Sequence, residues 1–218
     1  MPALKLVIGN KNYSSWSMRP WLALRANDIP FDEVFIPLYT DDPADKDRIL
    51  SFSRAGKVPT LVDGDVTVWD SLAIIEYLAE KFPEKKLWPE DPASRAHARS
   101  ISAEMHSGFA ALRNECGMNL HRPIRAVALS DDARANVARI QQIWSECHQR
   151  YGGPFLFGAF SAADAMYAPV VHRFRTYAIE VAPSARHYFD AMLSQPAFQQ
   201  WTREGLAETL IIERVEAL

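Results

Sequence analysis

The chain has 218 residues, 48% hydrophobic and 23% charged, with a formal net charge of −3; that balance is typical of a folded globular protein, long enough for one large or two small domains. Charges of one sign form no long block, which argues against a nucleic-acid footprint, and no apolar run reaches membrane-span length or follows a basic start as a secretion signal would, so a cytoplasmic location is expected. The two cysteines, Cys116 and Cys147, are far apart and form no CxxC, which argues against a disulfide framework, a zinc ribbon or a dithiol redox site.

In chain order, Leu4 to Ile8 reads as a short apolar strand and Trp21 to Ala26 as part of a helix. Phe31, Val34, Ile36 and Leu38 read as a second strand after an Asn27-Asp28-Ile29-Pro30 turn. This is a β-α-β unit, expected to be parallel and right-handed. Between its strand and helix lies Tyr13-Ser14-Ser15-Trp16-Ser17-Met18-Arg19-Pro20-Trp21. Pro20 is best tolerated in a first helical turn, which puts the N-cap near Ser17 and spaces Trp16 and Trp21 as a hydrophobic staple. Ser14 and Ser15 then belong to the approach loop. The stretch from Asp41 to Ala55 is polar and expected to be partly helical.

Lys57-Val58-Pro59-Thr60-Leu61 reads as a strand entered through a proline. X-Pro bonds are where cis peptides occur, and a bend there would turn the Val58 backbone outward, free to pair with an extended ligand as an added strand would. Asp63-Gly64 is a hairpin turn, and Val66 and Val68 mark the returning strand. Asp70 or Ser71 then starts a helix whose apolar positions Leu72, Ile75, Leu78 and Ala79 recur at helical spacing. Its free N–H groups favour a carboxylate, the Ser71 hydroxyl adds a donor, and Asp70 can pair with an ammonium. An amino-acid head group carries both charges, so the segment suits a small peptide; an ordinary cap beside a strand-edge proline accounts for the same residues.

From Phe82-Pro83 to Asp91-Pro92, three prolines and several charges surround Leu87 and Trp88, as in a linker anchored by an aromatic. The boundaries follow: 1–83 as a β-α-β, β-β-α module, 84–92 as linker, and 93–218 as a helical domain. Helices are expected over Ala93 to Cys116, Asp131 to Arg150, Ala162 to Tyr177 and Ser184 to Leu193. Ser161-Ala162-Ala163-Asp164 is a capping box with Asp in the place of Glu or Gln, preceded by Phe160 as a staple residue, and reads as a folding device. The six histidines show no metal-ligand spacing, so no metal is expected.

The order of elements, Lys57-Val58-Pro59-Thr60-Leu61, the Asp70-Ser71-Leu72-Ala73-Ile74-Ile75-Glu76-Tyr77-Leu78 helix and the Ser161 to Asp164 box together resemble the glutathione S-transferase superfamily over nearly the whole chain. The resemblance implies an α/β plus all-α fold: a thioredoxin-like amino-terminal domain with cis-Pro59, then an all-helical domain, assembled as a cytoplasmic homodimer. It also implies glutathione as co-substrate, with the Val58 backbone on its cysteinyl part, Asp70 and Ser71 on the γ-glutamyl end, and Lys57 facing the glycyl carboxylate.

The chemistry expected of such a protein is thiol activation. A free thiol has a pKa of ~8.5, and lowering it by ~2 units requires ~2.7 kcal/mol of preference for the anion. One hydroxyl hydrogen bond with a helix N-terminus can supply that, so a serine suffices. The Tyr13 to Arg19 segment resembles the zeta-class motif of two serines followed by cysteine, serine, tryptophan and arginine. That match makes Ser14 the thiolate-stabilising residue, with Ser15 next and Tyr13 a third option. Trp16 stands where the motif has cysteine and Met18 where it has tryptophan, while Arg19 matches. The main reading is a glutathione transferase attacking a small electrophile; the alternatives are a maleylacetoacetate-type isomerase and a non-catalytic interaction protein of the same fold. Met105, Phe109 and Arg113, at four-residue spacing on the first long helix of the second domain, are candidates for one wall of the electrophile pocket. Arg173 and Arg175 are candidates for binding an acidic substrate.

Overall fold

The computed structural model describes residues 4–40 and 42–216, apart from the Arg214 side chain; Met1 to Ala3, Asp41, Ala217 and Leu218, at the edges of three segments expected from the sequence, lie outside them. Four strands, β1 (Leu4–Ile8), β2 (Phe31–Phe35), β3 (Thr60–Asp63) and β4 (Val66–Trp69), form one sheet in the order β2-β1-β3-β4. β1 runs parallel to β2 and antiparallel to β3, which pairs antiparallel with β4. The parallel pair is joined by α1 (Ser15–Ala26), as a crossover between parallel strands requires. β1 is central and apolar, with Leu4, Leu6, Val7 and Ile8 buried. α2 (Pro43–Phe52) fills the polar stretch after β2.

α3 (Ser71–Lys81) covers the sheet with Ser71, Ile74, Ile75 and Leu78. The buried stripe is rotated slightly from the expected one, and Leu72 and Ala79 lie at its margin. A 3-10 turn over Pro83–Lys85 follows. Leu87 and Trp88 are then buried, and the Leu87 carbonyl accepts from the Ala162 amide at 2.7 Å, so the linker is fastened to the second half.

That half contains α4 (Pro92–Ser107), α5 (Ala110–Glu115), α6 (Asp131–Tyr151), α7 (Ala162–Thr176), α8 (Pro183–Ser194), α9 (Pro196–Ala207) and α10 (Glu213–Glu216). Nearly every residue of α7 is buried, including the polar Asp164, His172 and Arg173, which places this helix at the centre of the bundle. α1, α4 and α8 pack against it. Among the described residues no helix is long and apolar enough to cross a membrane.

The single helix expected from Ala93 to Cys116 is broken. Gly108 is extended, and a Cβ there would lie 2.7 Å from the Glu104 carbonyl oxygen; Phe109 follows in the left-handed region at φ 60°. The break leaves the last carbonyls of α4 exposed, and the Arg113 side chain folds back to bond those of Met105, His106 and Gly108. A cation at a helix C-terminus is favoured by the helix dipole. α9 and α10 lie beyond the last helix expected from the sequence, Ser184 to Leu193.

Candidate active site

Strand register gathers the candidate residues at one end of the sheet. Val7 pairs with Thr60, and Thr60 pairs with Trp69, so the chain leaves β1, enters β3 and leaves β4 side by side. The loop to Ser14, the Val58-Pro59 step and the Asp70-Ser71 helix start therefore converge.

The first segment is held by an unexpected cap. α1 begins at Ser15, with Ser14 rather than Ser17 as N-cap; Ser17 lies one turn inside and Pro20 lies in the helix interior. Pro20 removes only the amide that would have reached the Trp16 carbonyl, a loss the helix tolerates. Trp21 is fully buried while Trp16 is 37% exposed, so the two form no staple. Ser14 Oγ accepts from the Ser17 amide at 3.3 Å and lies 2.7 Å from Ser17 Oγ, which in turn accepts from the Gly9 amide at 3.2 Å. The two hydroxyls can exchange donor and acceptor roles by rotation. Ser15 is buried at the first helical position, and its hydroxyl has no hydrogen bond among the described residues.

Tyr13 is otherwise engaged. Its hydroxyl donates to Glu216 Oε1 at 2.6 Å and accepts from the Ile212 amide at 3.3 Å. Burial, then the Glu216 carboxylate, raise its pKa above the usual tyrosine value. The same loop is clamped elsewhere from the far end of the chain: the Lys11 and Asn12 amides donate to Glu208 at 2.7 and 3.0 Å, and Trp201 Nε1 donates to the Lys11 carbonyl at 3.1 Å. Asn12 Oδ1 accepts from the Leu120 amide at 2.6 Å. Sequence reasoning missed Glu208, Glu216 and Asn12, because nothing local links residues 108 to 203 positions apart.

The Val58-Pro59 bond is cis. Pro59 is buried, Val58 half-buried and Lys57 exposed. Among the described residues the Val58 amide and carbonyl take no backbone hydrogen bond. Asp70 caps α3 from an unusual backbone, φ 75° and ψ 135°, a region that strains a side-chain-bearing residue. Its Oδ1 accepts from the Leu72 and Ala73 amides at 2.9 and 3.3 Å, which leaves Oδ2 facing His106 Nε2 at 3.3 Å. Burial lowers the His106 pKa, with Asp70 opposing and Arg19 and Arg113 adding to the fall. Ser71 is buried, and its Oγ accepts from Arg19 Nη1 at 3.4 Å.

Trp16 joins the halves. Arg19 lies over its ring at 4.3 Å and Arg113 at 5.0 Å, while His106 meets it edge-on at 5.2 Å. Met105 and Phe109 are buried in the core beside the α4–α5 break. With that break between them, Met105, Phe109 and Arg113 do not share one helix face as their spacing suggested. Arg173 is buried, with Nε donating to the Cys116 carbonyl at 2.9 Å, and burial followed by Arg113 lowers its pKa to about 10; Arg175 is exposed. Among the described residues no group of three or more His, Cys, Asp or Glu is placed to hold a metal ion.

The family model of the glutathione S-transferase N-terminal domain matches residues 13–81, and that of the C-terminal domain matches residues 95–203. The chain is 30% identical over 208 residues to a maleylacetoacetate isomerase of Rattus norvegicus, covering 91% of this chain and 93% of that protein. It is 29% identical over 189 residues to a probable maleylacetoacetate isomerase of Caenorhabditis elegans, covering 85% and 87%. Among solved structures, a glutathione transferase homologue from Burkholderia with bound glutathione superposes with a TM-score of 0.71 at 22% identity, covering 94% of this chain and all of that one. A bacterial zeta-class maleyl pyruvate isomerase does so with a TM-score of 0.71 at 21% identity, covering 94% and 98%. Fold, domain order and sequence agree: the chain belongs to the glutathione S-transferase family.

Proposed function

We propose that this chain binds glutathione at the convergent end of the sheet and holds its thiol as the thiolate for attack on a small electrophile. The observation that carries the reading is the meeting, at one place, of an unpaired Val58 backbone, a helix start with Asp70 and Ser71, and the Ser14 N-cap. Glutathione supplies the thiol. Val58 offers strand-like pairing to the cysteinyl part, Lys57 faces the glycyl carboxylate, and Asp70 and Ser71 take the ammonium and carboxylate of the γ-glutamyl end.

Ser14 does not lose a proton. When Ser17 donates to Ser14 Oγ, the Ser14 O–H is released to donate to the sulfur, and the N-terminus of α1 adds its positive end. Ser15, with its free hydroxyl at the first helical position, is the second candidate. In conjugation the sulfur–carbon bond forms as the leaving group departs with its electron pair. In isomerisation the sulfur adds reversibly to a double bond and is expelled after rotation. The names of the rat and nematode relatives favour the isomerase alternative; Trp16 and Met18, where the zeta motif has cysteine and tryptophan, keep conjugation as the main reading.

In this reading Arg113, which lies over the Trp16 ring, belongs to the wall of the electrophile site, with the buried Met105 and Phe109 behind it. A homodimer is part of the same proposal, and light scattering checks it. Calorimetric titration with glutathione, followed by turnover of aromatic halides, epoxides, peroxides and maleylacetone, tests the function. Binding with turnover of one class is expected. Absence of glutathione binding contradicts the reading and favours an interaction protein.

A further inference from the structure

Tyr13 and Glu216 are 203 positions apart, and their contact falls one residue before the N-cap of α1. The Tyr13 hydroxyl donates to Glu216 Oε1 at 2.6 Å and accepts from the Ile212 amide at 3.3 Å, so its one proton is committed and the ring is held from two sides. Glu216 Oε1 also accepts from Asn119 Nδ2 at 2.9 Å, while Asn119 Oδ1 takes the His121 and Arg122 amides at 3.0 and 3.1 Å. The carboxylate is thus aimed by a side chain that is itself fixed. α10 has four residues, too few to hold as an isolated helix, and the buried Ile212 and the Glu216 contacts dock it. Glu216 is exposed, and a hydrogen bond at such a place contributes little to overall stability.

The position of the contact gives it a second use. The Tyr13 and Ser14 amides both donate to the Asn10 carbonyl, at 3.1 and 2.7 Å, and the Ser15 amide donates to the Tyr13 carbonyl at 3.0 Å. In so tight a turn a displaced Tyr13 side chain would rotate the peptide that carries Ser14. The Ser14 backbone, at φ −84° and ψ 84°, is neither helical nor extended, so its direction is set by these neighbours and by no regular ladder. Hydrogen bonds weaken steeply as the donor angle departs from linear, which makes a serine hydroxyl sensitive to a small rotation of its backbone. We propose that Glu216 is a positioning residue for Ser14: through the Tyr13 hydroxyl it fixes the turn before α1, and with it the angle at which the Ser14 O–H meets the glutathione sulfur. The inference rests on the thiolate reading above.

Thiolate absorbance of the glutathione complex, titrated against pH in wild type, Tyr13→Phe, Glu216→Ala and Glu216→Gln, and in Glu216→Ala combined with Ser14→Ala, tests this, with circular dichroism monitoring folding. Tyr13→Phe and Glu216→Ala are each expected to raise the midpoint by about 0.5 to 1 unit. Glu216→Gln keeps an acceptor for Tyr13 and should recover about half of the shift. With Ser14→Ala already present, Glu216→Ala should add less than about 0.2 units, because the two act on one hydrogen bond. Affinity for S-methylglutathione, which has no thiol to ionise, should stay within about 2-fold throughout. A midpoint unmoved by Tyr13→Phe and Glu216→Ala overturns the proposal. So does an equal shift from Glu216→Ala with and without Ser14, or a loss of S-methylglutathione affinity beyond that range. If Glu216→Ala does not fold, Tyr13→Phe carries both comparisons. These failures leave the thiolate reading intact wherever Ser14→Ala alone moves the midpoint; wild type that does not bind glutathione, or binds it without lowering the thiol midpoint, removes that reading and the inference with it.

Discussion

The starts of α3 and α7 are both built from a serine and an aspartate, and they are finished very differently. At α7, Asp164 accepts from the Leu156 amide at 3.0 Å and from the Ser161 amide and hydroxyl at 2.7 and 2.8 Å, all in the interior. At α3, Asp70 is strained and partly exposed, and Ser71 touches the Arg19 guanidinium, whose Nε and Nη2 have no hydrogen-bond partner among the described residues. The first arrangement is closed and belongs to folding. The second is incomplete among the described residues, as the proposed glutathione site requires. Completeness of hydrogen bonding, rather than residue type, separates the two roles.

The largest effect that sharpens this contrast is on stability. Asp164→Ala leaves buried donors without an acceptor and should lower the unfolding free energy by about 3 kcal/mol, read by denaturant melts, with glutathione affinity unchanged in the folded fraction. Ser71→Ala should do the reverse: little change in melting and a loss of glutathione affinity of roughly 10-fold by calorimetry. If Ser71→Ala proves the more destabilising, the contrast collapses. Glu208→Gln keeps the shape of the clamp on the Lys11 and Asn12 amides but weakens a charge-assisted bond; it should lower turnover by about 3-fold through a looser Ser14 loop, with smaller change in glutathione affinity.

A separate effect concerns pH. His172 is fully buried, stacked on Phe198 with ring centroids 4.2 Å apart, and burial followed by Arg175 and Arg173 lowers its pKa to about 3. Because the folded value lies below the ordinary 6.5, the stability it contributes is present above pH 6.5 and is lost as pH falls from there toward 3. Melting temperatures between pH 7 and 5 should therefore fall less steeply in His172→Phe than in wild type.

Much of the first half was legible in the sequence because its signals are local. An apolar run marked β1, alternation β4, Asp63-Gly64 the hairpin, and Asp70-Ser71 the start of α3, all within a few residues of what they determine. Pro20 misled, since a proline fits best in a first turn but is tolerated one turn further in; the cap moved to Ser14, and the serine expected to be free in a loop became part of a helix end. At Gly108 the helical spacing ran on while the backbone did not, and the expected face of Met105, Phe109 and Arg113 dissolved. Arg19 matched a motif, but its burial against Trp16 beside Arg113 exists only in three dimensions. The clamps from Glu208 and Glu216 on the Ser14 loop span almost the whole chain, beyond any local pattern.

The central claim is that Ser14 stabilises a glutathione thiolate. Thiolate absorbance of the glutathione complex, titrated against pH in wild type and Ser14→Ala, tests it most directly. Wild type should ionise about 2 units below the free thiol's ~8.5, and Ser14→Ala should return most of the way to that value while still binding glutathione. Identical midpoints in the two proteins, at whatever pH, would contradict the account.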